Sequence, residues 1–226
     1  MQSNLRLATM GERLADQLRR NIIRGELAVG SHLVEDALAE TYDVSRGPVR
    51  DALKILSSEG LLDDRRRGFF VRGFSRTDVE ELYSLRTSME KLAMKLAAER
   101  TGAGGWNASQ VELDAMYAAA AKRDWHTFAG HDLAFHGTFY RLSGHSRLQS
   151  MWEQYRPTFG AMLDVTNEQD VDLRPSADDH AVLLDLAKAT KLAELTAQLE
   201  EHLAGSQQRM TTALEPFWLQ LEAAST

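Results

Sequence analysis

Cysteine is absent from the chain. That excludes a disulfide framework and any thiolate zinc finger, and it leaves imidazole and carboxylate as the groups able to hold a metal. Long apolar runs are absent too. None approaches the roughly 18 residues that suggest a membrane span. The opening MQSNLRLATMGERL is polar and amphipathic, unlike a secretory signal. A soluble, cytoplasmic protein is expected. There is no internal repeat and no low-complexity tract.

What is present points to packed domains. Hydrophobic residues make up 43% of the 226 residues, enough for one large core or two modest ones. The net charge of −7 argues at first against a nucleic-acid partner, but it is unevenly spread. Residues 1–75 hold 12 Lys/Arg against 11 Asp/Glu, whereas residues 76–226 hold 14 against 22. An acidic body with a near-neutral head can still bind DNA, because binding follows the local field.

Thr9-Met10-Gly11-Glu12 reads as a capping box opening a helix with Leu14, Leu18, Ile22 and Ile23 on one face. A short helix follows over roughly 34–42, with Val34, Leu38 and Ala39 inward. Ser45 is a good N-cap for a third helix over 46–59, where Pro48 falls in the first turn and Val49, Leu53 and Leu56 face the core. Two short apolar runs flank a basic turn, Arg65-Arg66-Arg67-Gly68, and predict a β-hairpin. Three helices and a basic hairpin make a winged helix-turn-helix over residues 1–74.

Ser75-Arg76-Thr77-Asp78 reads as a second capping box, so the linker near Gly73-Phe74 is very short. Gly102 to Gly105 is a loop. Every later long segment has helical period, with helices near 107–123, 124–143, 145–165, 176–189 and 191–222. The polar stretch 166–175 reads as a loop ending at Pro175. The expected fold class is mainly α, with an all-α antiparallel helical bundle over residues 75–226.

Arg46, Arg50 and Lys54 recur at i, i+4, i+8, on the face opposite Val49, Leu53 and Leu56. Such a helix suits a major groove, because Arg reaches guanine edges bidentately and Arg and Lys neutralise phosphates. Arg65, Arg66 and Arg67 place a second cation cluster on the wing. Each is, taken alone, equally readable as a solvated surface charge; the helix-turn-helix order favours DNA.

In the second half, Asp132 and His136 are four apart and point the same way from one helix. His180 opens another helical segment and His202 lies on the last. Imidazole and carboxylate side chains converging from three helices can hold a divalent metal such as zinc, nickel or manganese. By spacing alone each His is also readable as exposed or satisfied in the core.

Two resemblances bear on these readings. Ser45-Arg46-Gly47-Pro48-Val49-Arg50-Asp51-Ala52-Leu53, then Leu56, Glu59-Gly60-Leu61 and Arg67-Gly68-Phe69, resemble the N-terminal domain of GntR-type regulators. The resemblance implies DNA contacts from Arg46 and Arg50 and from the wing at Arg67 and Gly68, and it fits roles for Ser45, Lys54 and Arg66 beside them. Gly47 departs from the family by lacking a side chain, and Asp36 stands where some members carry a DNA-contacting Arg. Residues 76–222 resemble the FCD-type effector domain of the FadR-like branch, through Leu85-Arg86, Met89-Glu90, Asp132-x-x-Phe135-His136, Asp179-His180 and His202-Leu203. About six helices make it similar to the shorter, VanR-like subtype. His145 departs from the usual Gly-Asn.

The second resemblance implies a metal held by Asp132, His136, His180 and His202. A small carboxylate effector would fill the open coordination positions, with Arg86 as its bidentate anchor or, alternatively, in a salt bridge with Glu90. The function implied is that of a ligand-responsive repressor, acting as a homodimer on a palindromic double-stranded operator, with no membrane partner. Two other readings stay open at this point: a metal-dependent hydrolase using the His/Asp site, and a purely structural metal bundle that mediates dimerisation.

Overall fold

The computed structural model describes residues 8–102 and 104–224. The expected loop at Gly102–Gly105 therefore includes one residue, 103, outside the described set, as does the start of the opening segment. The chain divides into two compact units, Met1–Ser75 and Arg76–Thr226.

The first unit runs α1 (Met10–Ile23), β1 (His32–Leu33), α2 (Glu35–Thr41), α3 (Arg46–Ser58), β2 (Leu62–Arg65) and β3 (Gly68–Val71). The capping box forms: Glu12 N donates to Thr9 Oγ1 at 3.1 Å, and Thr9 N donates to Glu12 Oε2 at 2.6 Å. Leu18, Ile22 and Ile23 of α1 and Val49, Leu53 and Leu56 of α3 are fully buried. A charged clamp joins the same two helices. Arg19, only 2% exposed, donates through Nε and Nη2 to both Glu59 oxygens at 2.7 and 2.6 Å.

The three strands form an antiparallel sheet in the order β1-β3-β2, with Arg65 opposite Gly68. Arg66 and Arg67 are thus the two-residue tip, and Arg65 belongs to the strand. Gly68 has φ +115, and a Cβ there would meet His32 Nε2 at 2.8 Å. Only glycine allows both that backbone and that approach. His32 stacks on Phe70 at 4.7 Å, and Arg65 covers the Phe70 ring at 4.8 Å, so the wing has its own small buttress.

Two expectations need correction here. Val34 is the N-cap of α2 and is exposed; Leu33 takes the inward position because it pairs with β3. No residue of α2 is fully buried, and Leu38 and Ala39 are half-covered. Strand β1 was not anticipated, since two residues are too few for a period to register.

Among the described residues the second unit has six helices: α4 (Arg76–Arg100), α5 (Asn107–Lys122), α6 (Trp125–Leu142), α7 (Ser146–Asn167), α8 (Arg174–Lys188) and α9 (Leu192–Ala224). Pro175 does not end a loop. It sits in the first turn of α8, where its missing N–H has no helical partner to lose. His145 caps α7 by accepting a hydrogen bond from Leu148 N at 3.3 Å. Asp124 caps α6 in the same way through Thr127 N. The apolar core draws on Met94, Trp106, Met116, Phe128, Phe135, Phe139, Leu183, Leu184, Leu195 and Leu199. Among the described residues no helix is long and apolar enough to cross a membrane.

Candidate metal centre and nucleic-acid face

Inside the helical unit the core turns polar. Arg86 and Glu90 from α4, Asp132 and His136 from α6, His180 from α8 and His202 from α9 are all buried. Helical spacing explains the pairs: residues four apart sit one above the other on a single face. The three imidazoles come together, with one ligand atom from each lying within 4.8 Å of the others. Asp132 joins them, its Oδ2 3.3 Å from His180 Nε2 and its Oδ1 3.8 Å from His136 Nε2. Three of the four side chains named from the sequence, His136, His180 and His202, thus form one cluster, and Asp132 lies beside two of them.

The outer nitrogens show how the rings are oriented. His136 Nδ1 lies 2.6 Å from Glu90 Oε2, and His180 Nδ1 lies 2.6 Å from the Ser176 carbonyl oxygen. A carbonyl can only accept, so His180 Nδ1 carries a hydrogen, whereas the His136–Glu90 approach lacks hydrogen-bond geometry and leaves both of its atoms without a hydrogen-bond partner. The bond to Ser176 turns His180 Nε2 towards His136 and Asp132. The Nε2 atoms of His136 and His180 face each other at 3.1 Å. A hydrogen bond between the rings satisfies that spacing, and so does a shared divalent cation. Ligands about 2.1 Å from a common ion sit about 3.0–3.4 Å apart, so the spacing suits a divalent cation. The donor set of three imidazole nitrogens and one carboxylate suits zinc, nickel or manganese. The Ser176 carbonyl supplies an outer hydrogen bond of the kind that fixes a ligating imidazole, and Glu90 sets its charge beside the His136 ring. His202 Nδ1 faces Asp179 Oδ2 more loosely, at 3.8 Å.

Electrostatics agree with that chemistry. Burial pushes the His136 imidazole down despite the neighbouring Glu90 carboxylate. Burial, with His180 next, brings His202 down to about 4. Both rings are neutral at pH 7 and able to donate electron pairs. Burial alone would raise the Asp132 carboxyl, but the facing His180 and His136 and the Arg86 guanidinium hold it well below the usual carboxylate range. Glu90, likewise buried, is brought to about 2 by Arg86 and His136.

Arg86 lies 2% exposed and donates from Nε to Glu90 Oε1 at 2.7 Å. The salt bridge anticipated as its alternative role is thus formed. It leaves Arg86 Nη2 buried without a hydrogen-bond partner, 3.9 Å from an Asp132 Oδ1 that also has none. The Arg86 guanidinium packs 5.3 Å from the Phe159 ring, Phe159 stacks on Trp152, and Trp152 stacks on Tyr140. The Tyr140 hydroxyl, one turn beyond His136, is another buried polar atom without a partner. Sequence reasoning missed two participants. Glu90 was visible only as a partner for Arg86, because its reach to His136 depends on how α4 meets α6. Tyr140 continues the Asp132, His136 stripe at the next i+4 position, a signal that was available and unused.

In the first unit, Ser45, Arg46, Arg50 and Lys54 are exposed along one side of α3. Ser45 is the N-cap by backbone position but makes no capping hydrogen bond, so its hydroxyl faces solvent. Arg66 and Arg67 are exposed at the wing tip beside Gly68. Arg46 and Arg50 do not stand alone: Asp36 lies 2.5 Å from Arg46 Nε, and Glu35 holds Arg50 through two hydrogen bonds.

The comparisons with known proteins agree with both halves. Residues 10–71 match the model of bacterial regulatory proteins of the gntR family, and residues 81–205 match the FCD domain. The gluconate operon transcriptional repressor of Bacillus licheniformis is 30% identical over 190 residues, covering 80% of this chain and 76% of that protein. Its namesake in Bacillus subtilis (strain 168) is 27% identical over 217 residues, covering 94% and 88%. Among solved structures, Escherichia coli McbR/YncC shares the fold with a TM-score of 0.70 at 24% identity, covering 93% of this chain and all of that one. These families and relatives are transcription regulators, not enzymes, which sets aside the hydrolase reading. The chain belongs to the GntR family of DNA-binding transcription regulators, with an FCD domain as its second half.

Proposed function

We propose that this regulator is a repressor whose helical unit holds a divalent metal, zinc foremost, through Asp132, His136, His180 and His202, and uses it to capture a small carboxylate effector. The observation that carries the reading is the buried cluster of three imidazoles, one ligand atom from each within 4.8 Å of the others, beside an ionised Asp132. The charge balance supports the effector class. With neutral imidazoles, the buried Arg86, Glu90 and Asp132 leave one net negative charge. A divalent ion turns this into one net positive charge, which a single carboxylate neutralises. Arg86 Nη2, buried without a partner, is the donor available to that anion. The gluconate repressors among the relatives are named for an operon that handles a sugar acid, which supports an effector among the hydroxylated carboxylates. The metal does no bond-breaking here; bound, it supplies a fixed positive charge and open coordination positions.

The first unit reads DNA, with α3 in the major groove through Ser45, Arg46, Arg50 and Lys54 and the wing reaching a neighbouring groove through Arg66, Arg67 and Gly68. A palindromic operator requires a two-fold protein, so the working form is a homodimer. Effector binding at the metal centre changes operator affinity. Elemental analysis of the wild type and of a His180→Ala, His202→Ala double variant tests this reading, followed by DNA titration with and without a panel of sugar acids. The wild type is expected to carry about one metal per chain and to respond. The double variant is expected to lack metal, keep DNA affinity and lose the response. A wild type without metal after divalent ions are supplied, or a responsive double variant, overturns the effector mechanism.

A further inference from the structure

Acidic side chains on a surface that meets phosphates weaken binding, and exposed ion pairs return little stability for it. Yet the face of the first unit that carries Arg46 and Arg50 also carries Asp36 and Glu35, adjacent in the first turn of α2. Asp36 Oδ1 lies 2.5 Å from Arg46 Nε. Glu35 accepts from Arg50 Nε at 3.3 Å and from Nη2 at 2.9 Å. Packing does not explain these acids, since α2 has no fully buried residue. The Arg50 hydrogen bond holds the Glu35 carboxyl below its usual range, so the acid is ionised wherever the arginine is paired.

The edge by which each arginine is held decides what the pairing does. A guanidinium reads guanine O6 and N7 end-on, with one N–H from each terminal nitrogen. Asp36 meets Arg46 from the side, at Nε. Glu35 also takes Arg50 from the side, engaging Nε and one N–H of Nη2, so Nη1 and the second N–H of Nη2 remain. Both acids approach from the Nε side of the guanidinium. Both restrict long side chains that otherwise lose rotamer freedom on binding.

We propose that Asp36 and Glu35 are specificity-determining positioning residues: they hold Arg46 and Arg50 for end-on reading of guanine and penalise contact with non-cognate DNA. This rests on the reading that α3 docks in the major groove. On cognate DNA the acids keep their arginines and the arginines gain bases. On other sequences the same arginines must leave their acids to reach phosphates, and two carboxylates are left facing the backbone. The expected result is weaker sequence-independent binding and a larger ratio of specific to non-specific affinity.

The test uses full-length protein and a duplex library with a randomised core. The duplex selected by the wild type and a scrambled duplex of equal length are then titrated by fluorescence anisotropy at about 50 and 200 mM salt. Glu35→Gln with Asp36→Asn is expected to bind the scrambled duplex more tightly and to lose about tenfold in the selected-to-scrambled ratio, within the range a bidentate base contact provides. In base-by-base substitution of the selected duplex, Asp36→Asn alone should relax preference where Arg46→Ala does, and Glu35→Gln alone where Arg50→Ala does. Asp36→Glu should restore part of the preference. Thermal unfolding should not move, because both acids are on the surface. An unchanged ratio overturns the proposal. So does a parallel gain on both duplexes, which would make the acids a simple electrostatic shield. If Arg46→Ala and Arg50→Ala bind the selected duplex like wild type, the docking of α3 falls and the proposal with it. If they lose binding while the acid variants keep the wild-type ratio, only the positioning role falls.

Discussion

Glu90 Oε2 lies 2.6 Å from His136 Nδ1, and the same carboxylate receives Arg86 Nε at 2.7 Å through its other oxygen. One buried acid thus sets its charge against a candidate ligand and holds the candidate effector anchor in position. Glu90→Gln keeps an acceptor for one of them but removes the charge that raises imidazole basicity. Metal affinity should fall about 10- to 100-fold, as is common when the group behind a ligating imidazole is lost. Competition against a chromophoric chelator measures it. Glu90→Ala should in addition destabilise the metal-free protein by about 3–5 kcal/mol, because Arg86 is left buried with only the more distant Asp132.

The histidines make the metal-free protein sensitive to acid. His202 has a folded value of about 4, below its ordinary 6.5, with burial the first cause. Between those two values the unfolded chain binds the proton and the folded chain does not. Stability is therefore fully present above pH 6.5 and is lost as pH falls towards 4, by up to about 3 kcal/mol from this residue. Glu90 acts in a separate, lower window. Its contribution is present above its ordinary 4.5 and is lost as pH falls to about 2. Urea unfolding of chelator-treated protein across pH 4–7 should show the first loss, and His202→Asn should flatten it. Equal slopes for wild type and variant would contradict the neutral, buried assignment of His202.

How much of this was legible beforehand depends on the kind of signal. The capping box at Thr9 and the apolar faces of α1 and α3 are local patterns, and they form as expected. The i+4 spacing of Asp132 and His136 is local too, so their shared direction was readable. The convergence of His180 and His202 on them is tertiary, and it came from resemblance. The Glu90 contact with His136, the Asp36 contact with Arg46 and the pairing of His32 with Phe70 join separate elements. No periodicity encodes such contacts. Pro175 misled because proline both ends loops and opens helices, and only the backbone of α8 decides between the two.

The Arg19–Glu59 clamp ties α1 to the end of the reading helix, and it should govern the stability of the first unit. Both Glu59 oxygens are engaged and Arg19 is nearly fully buried, so burial lowers and Glu59 and Asp16 raise the guanidinium, with a net increase. Glu59→Ala leaves that cation with Asp16 alone and should cost up to about 3 kcal/mol. The double change Arg19→Met with Glu59→Leu should recover most of the loss, since apolar replacements of a buried pair are often neutral. Chemical denaturation followed by a probe in the first unit separates the two. A Glu59→Ala variant as stable as wild type would mean the pair is solvated and adds nothing.

DNA binding should divide into reading and anchoring. Arg46 and Arg50 are exposed on α3, the helix proposed to read bases, and Arg66 sits at the exposed wing tip. Arg46→Ala or Arg50→Ala should each cost about 1–3 kcal/mol per half-site on the selected operator and much less on scrambled DNA. Arg66→Ala should weaken both duplexes alike and reduce the salt dependence by about one unit for each phosphate it no longer neutralises. The distinction follows from chemistry: a base contact is repaid only by the right sequence, whereas a phosphate contact is repaid by any. Anisotropy titrations at several salt concentrations measure both quantities. Should Arg66→Ala change sequence preference while the α3 variants change only the salt slope, the roles of helix and wing would have to be exchanged.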